Sequence, residues 1–137
     1  MAKGRANHAL ISEFKSSALD ESTRWALGNS VSLIAEASDL GELINLAIDK
    51  KFGRAREMIV AGLGRFSRES DEAFEALRQL VNDPDVSGHA ISALGNSQRV
   101  AAASVVEKFT SHPDAFLRRE ARRALSKLRK GTQPGAR

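Results

Sequence analysis

The sequence predicts an all-α solenoid of helical hairpins with about eight helices, and three observations carry that expectation. The first is a unit written twice. Asn82-Asp-Pro-Asp leads into Val86-Ser-Gly-His-Ala-Ile-Ser-Ala-Leu-Gly, and Ser111-His-Pro-Asp leads into Ala115-Phe-Leu-Arg-Arg-Glu-Ala-Arg-Arg-Ala-Leu. The second is spacing: Pro84 and Pro113 lie 29 residues apart, Leu94 and Leu125 31 apart. A period near 30 with two helices per unit marks stacked helical pairs. The third is composition, with abundant Ala, Leu, Arg and Glu, no Tyr and only 3 Pro, which favours helix over strand.

The elements follow in order. Leu10, Ile11, Phe14 and Ala18 recur at helical spacing, so a first helix is expected from about Asn7 to residue 19. Asp20 can cap the next, whose apolar residues Ala26, Leu27, Val31 and Ile34, with Ser30, keep the 3.6 period. Asp39-Leu-Gly-Glu42 has the spacing of a capping box, with Leu40, Leu43, Ile44 and Ala47 behind it. Asp49-Lys-Lys-Phe-Gly53 is a break. Gly53 then opens a helix in which Ala55, Met58, Ile59, Gly62, Leu63 and Phe66 point one way. Ser70 caps a helix with Asp71 and Glu72 in its first turn and Phe74, Leu77, Leu80 and Val81 inward. Pro84-Asp85 introduces Val86, Ala90, Ala93 and Leu94, and Ser97 introduces Ala101, Ala102, Val105, Val106 and Phe109. The last helix carries an unbroken stripe of Leu117, Ala121, Ala124, Leu125 and Leu128. The grouping expected is a lone first helix, pairs at 20–49, 53–81 and 85–110, and a lone last helix. Residues 7–130 are the ordered helices of one domain spanning 1–137, and 131–137 read as a frayed tail. Gly28, Gly62, Gly64, Gly88 and Gly95 each cost a helix about 1 kcal/mol against Ala, a cost that close helix approach between units would explain.

With 42% apolar and 28% charged residues, the chain reads as an ordinary folded domain rather than a disordered one. No apolar run approaches the roughly 20 residues of a membrane span, and the basic start lacks a signal-peptide core, so a soluble cytoplasmic protein is expected. The absence of cysteine removes disulfides, thiolate nucleophiles and thiolate metal sites. The net charge of +4 hides alternating blocks: +2 over 1–18, −5 over 19–49, +4 over 50–69, −4 over 70–97 and +7 over 98–137.

Asp83-Pro-Asp-Val86-Ser-Gly-His-Ala90-x-x-Ala93-Leu94 and His112-Pro-Asp-x-x-Leu117-Arg-Arg-x-Ala121-x-x-Ala124-Leu125 resemble HEAT repeats. The short period is closest to the bacterial kind described in phycobilin lyases. Arg24-Trp-Ala-Leu-Gly-Asn and Gly53-Arg-Ala-Arg-Glu-Met extend the resemblance to about 20–128. It implies a right-handed solenoid that serves as an interaction surface; the residues leave monomer and homodimer both open.

In such a stack the second helix of each pair lines the concave face, which nominates 39–49, 70–81 and 98–110. Glu42, Asn45, Asp49, Glu75, Arg78, Gln79, Arg99 and Lys108 would then contact a protein partner, on a face running from acidic to basic. The alternative is a nucleic-acid binder that uses Arg54, Arg56, Arg118, Arg119, Arg122, Arg123 and Arg129, with Lys127 and Lys130 beside them. The plainer reading makes the last helix a solvated cap and sets Arg54 or Arg56 against an acid of a neighbouring unit. No aromatic residue is interleaved with the terminal arginines, which disfavours base stacking. His8, His89 and His112 lack metal spacing, Trp25 reads as packing, and nothing orders a catalytic triad. The expectation is a non-catalytic module without cofactors.

Overall fold

The computed structural model describes residues 2–16 and 18–132. The described residues form eight α-helices: α1 (Ala2–Phe14), α2 (Glu21–Ile34), α3 (Leu40–Ile48), α4 (Glu57–Gly62), α5 (Asp71–Leu80), α6 (Ser87–Gly95), α7 (Val100–Glu107) and α8 (Ala115–Thr132). Short 3-10 segments at Ala37–Asp39, Lys50–Arg56 and Leu63–Arg65 extend α3 and α4, and no strand occurs among the described residues.

The helix starts follow local chemistry. Asp20 Oδ1 accepts from Thr23 N–H at 2.8 Å, and the Thr23 hydrogen bonds hold its carboxyl below the usual range. Ser70 Oγ accepts from Ala73 N–H at 3.1 Å, as its position at the head of an acidic first turn predicts. The capping box sits three residues earlier than expected. Glu36 is the cap and its N–H donates to Asp39 Oδ2 at 2.9 Å, because a 3-10 turn precedes α3.

Other boundaries also differ. The first helix starts at Ala2 and stops at Phe14, leaving Ala18 exposed in a turn. Gly53 does not open a helix: its φ of 53° and ψ of −136° break the chain, and α4 begins at Glu57. At the other end α8 runs through Gly131 and Thr132, and 133–137 lie outside the described residues.

Packing arranges the helices in two layers. In one, α2 packs on α4, α4 on α6 and α6 on α8. In the other, α3 touches α5 sparingly, and α5 and α7 barely meet. The hairpins that hold together are α1–α2, α3–α4, α5–α6 and α7–α8. The expected pairs are therefore out of phase by one helix, and neither end helix is alone. A periodic sequence fixes the repeat length but not which neighbour each helix prefers.

The first layer is held by a register. Val31, Leu63 and Leu94 are fully buried and Leu125 nearly so, at equivalent places in successive units. The residue after each register position meets the residue before the next. A Cβ on Gly62 would lie 2.8 Å from Ser32 Cβ, one on Gly64 3.1 Å from Ala93 Cα, and one on Gly95 2.8 Å from Ala124 Cα. In-register contacts of this kind make the four helices parallel. The glycines thus do what their propensity cost implied, except Gly88, which makes room for the Phe116 ring.

Candidate functional site

Seven residues before each register position, a polar side chain ties its helix to the preceding turn. Arg24 Nε donates to Phe14 O at 2.9 Å and its Nη2 to Ser16 O. Ser87 Oγ donates to Val81 O at 2.6 Å, and Arg118 Nη1 to His112 O at 2.8 Å. Arg56 holds the same place and is fully buried. It donates to Gly53 O at 2.8 Å, to Ala47 O at 2.9 Å and to Asp83 Oδ2 at 2.9 Å, while Asp85 lies 3.6 Å away. Burial pushes the Asp83 carboxyl up, but hydrogen bonds from Arg56 and the Asp85 N–H, with the charges of Arg56 and Lys50, hold it below the usual range.

This column corrects the polyanion set. Arg56 is buried in a structural ion pair, as the plainer reading held, and Arg118 is occupied by backbone carbonyls. Arg54 stands 4.0 Å from Asp85 in an acidic cleft with Glu57 and Asp114. Arg119, Arg122, Arg123 and Arg129 remain on the exposed face of α8, Arg123 paired with Glu120 at 3.3 Å.

The nominated protein-binding residues lie on α3, α5 and α7 or in the turns beside them, in the wider-spaced layer. Between α5 and α7 runs an open groove of about 470 Å³, with Val81, Val105 and Phe109 on its floor and Arg78, Gln79, Asn82 and Lys108 on its rim. A smaller groove of about 240 Å³ runs on the other side of α5, where Ile48 and Lys50 face Gln79 and Asn82. Three nominated residues, Arg78, Gln79 and Lys108, therefore meet at one groove. Arg78 Nη2 is 2.9 Å from Glu75 Oε1, and that hydrogen bond raises its pKa. Lys108 has no ion-pair partner among the described residues and is the rim's uncompensated charge.

The other nominees are placed elsewhere. Arg99 turns back to the start of α5, where it donates to Ser67 O at 2.7 Å and to Asp71 Oδ1 at 2.7 Å and covers the Phe74 ring. Its role is to anchor the α6–α7 turn. Glu42 lies 3.5 Å from His8, Asp49 caps the following turn through Lys51 N–H, and Asn45 is exposed on α3. Along this layer the nominated charges run from Glu42 and Asp49 through the Glu75–Arg78 pair to Lys108.

Asp20, Asp85 and Asp114 stand at the starts of α2, α6 and α8, and Arg65, Arg68 and Lys127 near the ends of α4 and α8, which complements those helix dipoles. Trp25 Nε1 donates to Glu57 Oε1 at 3.1 Å, and His89 Nδ1 lies 3.8 Å from Glu57 Oε2. His112 Nδ1 accepts from Asp114 N–H at 3.0 Å. No cluster of three metal-ligating side chains occurs among the described residues, and no helix there is long and apolar enough to cross a membrane.

A family model of HEAT repeats matches residues 40–126, which is more than half the chain. No curated protein and no solved structure matches it.

Proposed function

The chain belongs to the HEAT-repeat family, and from that premise we propose that it is a non-catalytic protein-interaction module that binds a segment of another protein along α5 and α7. HEAT repeats generally mediate contacts between proteins. The observation that carries the finer reading is the groove between α5 and α7. An apolar floor inside a polar rim is the form in which a side-chain anchor is bound and water excluded. Lys108 favours an acidic residue beside the anchor.

Panning a displayed peptide library on the immobilised protein tests this. Selected peptides should share one apolar anchor flanked by Asp or Glu, and should lose at least tenfold in affinity for R78E/K108E. Peptides without that pattern, or with unchanged affinity for the variant, would overturn the assignment.

A further inference from the structure

A second cleft lies at the opposite end of the closely packed layer from the acidic one. It measures about 470 Å³ and is formed where α4 and α6 end and α8 passes by. Arg65, Arg68 and Lys127 line it with Asn96 and Gln98, and no carboxylate among the described residues does. Among those lining side chains, Ala61 alone has no polar atom.

The cations differ in what holds them. Arg65 donates to Ser32 O at 2.6 Å and Ala35 O at 2.9 Å, which fixes its guanidinium over the end of α2. Lys127 Nζ is 3.3 Å from Asn96 Oδ1. Arg68 is exposed and has no polar partner among the described residues. Gln98 holds a φ of 56°, the one left-handed non-glycine residue among those described, and that conformation costs free energy. One turn beyond Lys127, Lys130 continues the positive surface along α8.

We propose that this cleft binds phosphate groups of a nucleic-acid backbone, without reading sequence. A protein segment gains affinity from a buried apolar anchor, and this cleft has no floor for one. Phosphate contacts need only cations and amide donors, which are what the cleft supplies. No aromatic ring lines it, so bases have nothing to stack on and the contact is with the backbone alone. This site is separate from the groove between α5 and α7, and either stands without the other.

The test is fluorescence anisotropy with a labelled 20-base-pair DNA duplex and its RNA counterpart, titrated between 25 and 150 mM NaCl. Binding at tens of micromolar or tighter in 25 mM NaCl is expected. Three phosphate-contacting cations give a slope of log K against log salt of about −2 to −3. R68E/K127E should weaken binding at least tenfold, whereas K15E/K51E, with the same change in net charge, should stay within twofold. R68Q, which leaves Lys127 in place, should lose about threefold and covers the case in which the double variant folds poorly. No salt-dependent binding at 25 mM NaCl would overturn the proposal. So would equal losses in K15E/K51E, which would make the attraction one of net charge. Competition by a poly-glutamate peptide as effective as by the duplex would assign the cleft to an acidic protein segment instead.

Discussion

The two helix layers solve opposite problems with the same repeat. In α2, α4, α6 and α8, glycine, alanine and serine at the positions flanking each register residue let neighbouring backbones approach. In the layer of α3, α5 and α7, Val81, Val105 and Phe109 sit between α5 and α7 without closing the space, and grooves remain on both sides of α5. Close packing leaves a layer few places to bind anything except at its ends. The looser layer keeps apolar surface available along its length, and that difference is what supports it as the proposed binding face.

The comparison breaks most severely at the link between the layers. Arg56 reaches from α4 to the end of α3 and to the turn between α5 and α6, so Arg56→Ala strands Asp83 without its partner. Urea unfolding should show a loss of about 3–5 kcal/mol. Acid probes the same link. A carboxyl held below its ordinary value contributes stability above the unfolded pKa, near 3.8, and loses it as pH falls through the folded value. Stability should therefore fall as pH drops below 3.8, and Asp83→Asn should flatten that decline.

Within the close layer, Gly95→Val drives a side chain into the Ala124 backbone and should cost about 1–3 kcal/mol. Gly41 on α3 sharpens the contrast, since nothing lies within 4 Å of a Cβ there. Gly41→Ala should raise stability by up to about 1 kcal/mol, the helix-propensity gain alone. The smallest effect belongs to the groove rim. R78A/K108A should change stability by no more than about 0.5 kcal/mol, because both side chains are exposed.

Much of this fold is legible in the sequence. The doubled Pro-Asp unit, the register leucines, the caps at Asp20 and Ser70 and the stripe of α8 each rest on local spacing, which folding preserves. What is not legible is long-range. Two boxes with the same three-residue spacing overlap at Asp39, and only the 3-10 turn decides between them. Arg54 and Arg56 sit two residues apart and so face opposite sides of the turn, one 68% exposed and the other 0%, and which of them is inside depends on the helix phase that begins after Gly53. Arg65 and Arg68 are far from Lys127 in the chain, so no local spacing groups the three. The available signal was their register: Arg65 stands two residues after Leu63, and Lys127 two after Leu125.

The most direct test of the division between layers is site-specific photo-crosslinking in an extract of the source cells. The photoreactive benzoylphenylalanine would replace Gln79 on the groove wall in one variant and Ser92 on α6, in the close layer, in another. A discrete adduct from position 79, abolished by R78E/K108E and absent from position 92, is the predicted result. Equal adducts from both positions, or an adduct only from 92, would contradict the account.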